Sequence, residues 1–178
     1  TSLPMMSTSS EARAMKAEGR DVIGFGAGEP DFDTPENIKE AGIKAIRDGH
    51  TKYTAVGGIN ELKDAIIGKF NKENSLAYTR DEILVSCGGK HSIFNLFQAI
   101  LNPGDEVIIP APYWVSYPVM AALGGGTPKV VHTKESDGFR MSPEAFRAAI
   151  NPRTKAVVIN SPSNPTGAKK KKKELVKI

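Results

Sequence analysis

The apolar positions along the chain change their rhythm near residue 80. Before that point the spacing is helical. Ile38, Ala41, Ala45 and Ile46 form one stripe, and Leu62 to Phe70 forms a second amphipathic segment. The first helix is expected to start at Thr34-Pro35-Glu36, a hydroxyl cap followed by proline and an acid, and to close at Gly49. Upstream, residues 1 to 10 look like a flexible arm rich in Ser and Thr. Glu11 to Glu18 predicts a short helix ended by Gly19, and Val22 to Phe25 a short strand.

After residue 80 short apolar runs alternate with amphipathic stretches. Ile83-Leu84-Val85, Val107-Ile108-Ile109, Val130-Val131 and Ala156 to Ile159 read as strands. Ser92 to Leu101, Val115 to Leu123 and Pro143 to Ile150 read as helices between them. The breaks fall at Asn102-Pro103-Gly104-Asp105 and Gly124-Gly125-Gly126. This alternation predicts an α/β fold: a mainly parallel sheet with helices on both faces, joined by crossover units. There is no internal repeat.

Composition adds few restrictions. The chain has 178 residues, 39% hydrophobic and 25% charged, ordinary for a globular protein. The lone Cys87 has no internal disulfide partner, which fits a reducing compartment. His50, His91 and His132 show no metal-ligand spacing, so no metal site is expected. The formal charge of +4 is carried by one run, Lys169 to Lys173; without those five charges the chain stands at −1. A nucleic-acid reading would rest on that run alone, and a solvated surface is the plainer account of it. No signal peptide or membrane-length apolar run is seen, so a soluble cytoplasmic protein is the simplest reading. Glu174 to Ile178 looks like a helix just beginning.

Candidate chemistry lies in loops that leave the carboxyl ends of predicted strands, where ligands of parallel sheets bind. The first is Ser86-Cys87-Gly88-Gly89-Lys90-His91-Ser92. A strand enters two glycines and then a helix, whose free N–H groups favour an anion; a tight turn needing glycine would have the same composition. It is not a Walker loop, because Leu84 and His91 stand where glycine and a hydroxyl residue would be needed. The second, Pro110-Ala111-Pro112-Tyr113-Trp114, ends in the only tryptophan, a ring suited either to stacking on a flat ligand or to core packing. The third, Asn160-Ser161-Pro162-Ser163-Asn164-Pro165-Thr166-Gly167, offers asparagine amides on a proline-stiffened backbone, or simply a well-formed turn. Gly24-Phe25-Gly26-Ala27-Gly28-Glu29 fails the dinucleotide fingerprint at its last position, which disfavours a dehydrogenase.

Taken in order, Gly28-Glu29-Pro30-Asp31-Phe32, Thr51-Lys52-Tyr53, Gly57-Gly58, Gly88-Gly89-Lys90, Asn102 to Glu106, Pro112-Tyr113-Trp114 and Asn160 to Gly167 resemble the class-I aminotransferases of fold type I. The likeness is to their prokaryotic aspartate-aminotransferase branch, and it covers about residues 11 to 168. It implies pyridoxal 5'-phosphate as cofactor and transfer of an amino group from an L-amino acid such as aspartate to a 2-oxo acid. It also implies residue roles. Gly89 and Lys90 would bind the cofactor phosphate through main-chain N–H groups, and Trp114 would stack on the pyridine ring. Asn164 would bond the phenolic oxygen and lie near the substrate carboxylate, and Gly28 would touch the substrate backbone. Tyr53 would reach the cofactor phosphate of a partner subunit in a homodimer.

The resemblance further implies that residues 1–30 are an arm and the start of a small domain. Residues 31–178 would be a cofactor-binding large domain, incomplete at its C-terminus. The cofactor-linking lysine and the acid for the pyridine nitrogen would lie beyond it. No catalytic residue is therefore expected in this chain, which should be inactive by itself. The alternative is a module that binds pyridoxal phosphate or another phosphate ligand without turnover.

Overall fold

A computed structural model describes residues 4–24, 26 and 28–170. The chain falls into two compact units, Thr1–Tyr53 and Thr54–Ile178.

The first unit contains α1 (Pro4–Ala17) and α2 (Glu36–Arg47). Helix α1 occupies most of the segment expected to be a flexible arm. Ala, Met, Glu, Arg and Lys from Glu11 onward are good helix formers, and the helix extends back through the Ser/Thr run to Pro4, a residue tolerated in a first turn. Gly19, at φ +80°, follows its end. The expected strand at Val22 does not form: Val22 to Gly24 lie outside any ladder, and Phe25 lies outside the described residues. A strand needs a neighbour, and this unit supplies none among its described residues. The expected Thr34 cap is also absent. Helix α2 begins one residue later, with Pro35 at its N-cap and no side-chain capping bond.

The second unit holds the sheet. Its elements are α3 (Asn60–Asn74), α4 (Gly89–Ile100), β1 (Glu106–Ala111), α5 (Ser116–Leu123), β2 (Thr127–His132), α6 (Pro143–Ala149) and β3 (Thr154–Val157). The strands are parallel, in the order β2-β1-β3. The chain steps from β1 to β2 on one side, then crosses back to place β3 on the other. With right-handed crossovers this puts α5 and α6 on opposite faces.

Strand β1 is central, and its unbroken apolar run suits a strand covered on both sides. Val107 and Ile109, both fully buried, pack with Phe97, Leu101, Tyr117, Met120 and Ala121 from the α4 and α5 side. Ile108, equally buried, packs with Met141, Phe146 and Ala149 on the α6 side. Burying each of the Val, Ile, Leu, Phe and Met side chains there contributes about 1.5–3 kcal/mol. Helix α6 starts where its sequence directs: the Ser142 hydroxyl accepts the Ala145 N–H at 3.1 Å, and Pro143 opens the first turn.

At the amino end of β1 the Glu106 carboxylate is buried. It accepts from Asn151 Nδ2 at 2.7 Å and pairs with Arg153 and, more loosely, Lys129. The Asn151 bond, followed by the two cations, holds its pKa below the usual carboxylate range.

One expected strand is absent from the sheet. Ile83 to Val85 are outside any ladder, and Val85 donates its N–H to Gly57 O at 3.1 Å instead. The segment is anchored from its start by Arg80, which forks onto Asp64 of α3 through Nε and Nη2. That hydrogen bond lowers the Asp64 pKa.

Candidate functional site

All three strands end on one edge, and the connections leaving β1 and β3 there carry Trp114 and Asn164, whereas Gly89 and Lys90 follow the segment Ile83 to Val85, which is outside the sheet. Helix α4 starts at Gly89, three residues before the expected position, so Gly89 and Lys90 are its first two residues. Its N-cap is Gly88, at φ 85° and ψ 166°, a conformation strained for residues with a side chain. The Gly88 N–H donates to Ser86 O, and the first bond back into the helix runs from Ser92 N–H to Gly88 O at 3.2 Å. The N–H groups of Gly89, Lys90 and His91 have no acceptor among the described residues. No acidic side chain occupies the first turn to compensate them. Three adjacent donors at the positive end of a helix form an anion-binding arrangement.

The loop after β1 delivers Tyr113 and Trp114. It is tied to the end of β2 by Thr133, whose N–H and hydroxyl both donate to Ala111 O. Trp114 is half-buried against the α4 and α5 core and meets Tyr117 edge-on, with centroids 5.3 Å apart. Burial of the Tyr117 phenol raises its pKa. The Lys90 ammonium lies 5.0 Å from the Trp114 ring centroid, so the first two candidate loops meet.

The loop after β3 folds on itself. Asn160 Oδ1 accepts the Asn164 N–H at 2.7 Å, Gly167 N–H donates to Ser163 O, and Lys170 N–H donates to Ser161 Oγ. The Asn164 side-chain amide has no partner among the described residues. Asn164 shares a small cavity with Pro112, Tyr113, Tyr117, Phe139, Asn160 and Lys170. This cavity sits beyond β1 and β3, where the strand order reverses, the usual ligand crevice of an open parallel sheet. No carboxylate among the described residues lines it.

Gly28 and Tyr53 belong to the first unit. Both are exposed, Tyr53 completely so. Of the lysine run, Lys169 is exposed, but Lys170 lines the cavity rather than standing on a solvated face. Residues 171–178, including the expected terminal helix, lie outside the described residues.

Sequence reasoning missed Phe139 and Lys170 as cavity residues. It also missed the contact between the His91 ring and the Cys87 backbone. Phe139 has φ 54° and follows the turn after β2. Only the His91 contact had a local signal: a side chain with an acceptor in the third helical position can reach back to the residues before the helix. Among the described residues no group of three or more His, Cys, Asp or Glu could hold a metal ion. No helix there is long and apolar enough to cross a membrane.

A family model described as aminotransferase class I and II matches residues 20–178. The aspartate/prephenate aminotransferase of Cereibacter sphaeroides is 57% identical over 173 residues, 97% of this chain and 43% of its own length. The aspartate aminotransferase of Geobacillus stearothermophilus is 55% identical over 157 residues, 88% of this chain and 40% of its own. The solved aspartate aminotransferase from Thermus thermophilus with maleate superposes with a TM-score of 0.95 at 48% identity, covering 99% of this chain and 46% of that one. The chain thus spans less than half the length of these proteins.

Proposed function

The chain belongs to the class I and II aminotransferases, and on that premise we propose that it forms part of a transaminase that uses pyridoxal 5'-phosphate. The reaction would move an amino group from an L-amino acid to a 2-oxo acid. Aspartate is the leading donor, since relatives 55–57% identical are aspartate or aspartate/prephenate aminotransferases. The observation that carries this reading is the joint arrangement on one sheet edge: three free N–H donors at the start of α4, an indole beside them, and an unpartnered amide at the neighbouring cavity. Those groups suit a phosphate, a flat ring and a ring oxygen respectively.

In this proposal the Gly89 and Lys90 main chain binds the cofactor phosphate. Trp114 sets the plane of the ring, which requires the Lys90 side chain to swing off the indole. Asn164 donates to the phenolic oxygen and lies near the substrate carboxylate. Gly28 contacts the substrate backbone, and Tyr53 serves a partner subunit in a cytoplasmic homodimer; the full exposure of Tyr53 is compatible with that role. Residues 31–178 are assigned to the cofactor-binding large domain and residues 1–30 to an arm and the start of the small domain. When bound, pyridoxal phosphate supplies an electron sink at the substrate α-carbon. The residues of this chain bind and orient; none is assigned the proton transfer. With no carboxylate among the described residues lining the cavity to pair with a pyridine nitrogen, those residues are expected to bind the cofactor without turnover.

The test has two parts. Pyridoxal phosphate affinity is measured for the chain and for Trp114→Ala and Asn164→Ala, and transfer from L-aspartate to 2-oxoglutarate is followed beside free cofactor in buffer. Binding weakened by both substitutions, with transfer at background, supports the assignment. Binding unaffected by either substitution overturns the site, and transfer well above background overturns the division of roles.

A further inference from the structure

We infer that His91 is a positioning residue for the anion-binding turn at the start of α4, an inference that rests on the cofactor reading above. His91 is the third residue of the helix. The Cys87 N–H donates to its Nδ1 at 3.0 Å. The ring therefore reaches back across Gly88, which has no side chain of its own to cap the helix. Acceptance at Nδ1 requires a neutral imidazole with its proton on Nε2. The result is an ordered division of donors. Cys87 N–H goes to the imidazole, Gly88 N–H to Ser86 O and Ser92 N–H to Gly88 O. Only the N–H groups of Gly89, Lys90 and His91 remain for a ligand.

The two adjacent glycines, Gly88 and Gly89, leave the backbone of the turn broadly free. The imidazole closes that freedom by tying the segment before the glycines to the first turn of the helix. A residue without an acceptor here would release Cys87 N–H and let the Gly88 peptide rotate. The three remaining donors would then lose their common aim. The affinity at stake is that of one neutral hydrogen bond, about three- to tenfold in a dissociation constant.

The experiment compares the chain with His91→Phe and His91→Gln. Phenylalanine keeps a ring and loses the acceptor. Glutamine at the third helical position has an amide oxygen able to reach back to the same N–H. Affinities are measured for pyridoxal phosphate and for pyridoxal, which lacks the phosphate, and hydrogen exchange of the Cys87 amide is followed alongside. The expected result is a dissociation constant for pyridoxal phosphate about three- to tenfold higher in His91→Phe, with pyridoxal unaffected. Affinity and Cys87 protection should both return in His91→Gln. Wild-type affinity in His91→Phe overturns the inference, as does equal weakness in the two variants or an equal loss for pyridoxal. If the unsubstituted chain itself prefers pyridoxal phosphate no more than pyridoxal, the phosphate reading fails. Preference kept intact in His91→Phe sinks only the role of His91.

Discussion

Gly58→Ala should destabilise the second unit by an amount that its geometry sets. Gly58 has φ +100°, and a Cβ placed on it would sit 2.4 Å from Val85 Cγ2 and 2.7 Å from Val85 Cβ. Two costs follow. The backbone conformation disfavours any L side chain, by roughly 1–2 kcal/mol. The contact with Val85 is an overpacking that rotation about χ1 cannot cure, because Cβ does not move with it, and it adds roughly 1–3 kcal/mol. The sum, about 2–5 kcal/mol, is a large share of an ordinary domain's stability. The damage is local to the candidate site, since Val85 is held by Gly57 O and the chain runs from Val85 into Gly88 and Gly89. Urea unfolding followed by the fluorescence of Trp114, the only tryptophan, measures it. Removing the Val85 side chain separates the two costs. In the background of Val85→Gly, the penalty of Gly58→Ala should shrink to the backbone part, a coupling of about 1–3 kcal/mol. A loss below about 1 kcal/mol in the single variant, or no coupling in the double variant, would refute the reasoning.

Three further outcomes are expected. Gly68→Ala, inside α3 with nothing within 4 Å of the added Cβ, should raise stability by about 0.5–1 kcal/mol in the same urea assay; a decrease would contradict the exposed helical setting. Glu106→Gln should lower stability at neutral pH. Because the folded pKa of Glu106 is depressed, its contribution is present above about pH 4.3, the ordinary glutamate value, and is lost as pH falls through the folded value. The gap between variant and parent should therefore close in acid, and a gap independent of pH would contradict the ion-paired carboxylate. Asn160→Ala removes the acceptor of the Asn164 N–H, loosening that loop by about 1 kcal/mol. Asn160→Asp keeps the acceptor, so pyridoxal phosphate affinity should fall in the first variant and not in the second.

The parts of this fold legible from sequence are those whose signal is local. In α4, Ile93, Phe94, Phe97, Ile100 and the following Leu101 recur at helical spacing and turn one face to the core. The run Val107-Ile108-Ile109 announces a strand buried on both sides, and Pro143, the expected first residue of the next helix, opens α6. Features that depend on distant partners were not legible. Ile83 to Val85 has strand composition but joins no ladder; its bonds run from Ile83 N–H to Arg80 O and from Val85 N–H to Gly57 O. The cavity draws Tyr113, Phe139 and Lys170 from three separate connections, and only the crossover topology shows that they meet. The three candidate loops were visible because glycine pairs, a lone tryptophan and a proline-bounded asparagine mark themselves. The contact between Lys90 and Trp114 could not be read, since it joins residues on either side of β1.

The central claim is that one edge of this parallel sheet holds pyridoxal phosphate, and a crystal structure of the chain with that compound bound tests it most directly. The account predicts phosphate oxygens within hydrogen-bonding reach of the Gly89 and Lys90 main-chain N–H groups, the ring against the Trp114 indole, and the Asn164 amide at the ring's phenolic oxygen. A phosphate held instead at the amino ends of the strands, beside Arg153 and Lys129, or a ring lying away from Trp114, would contradict it.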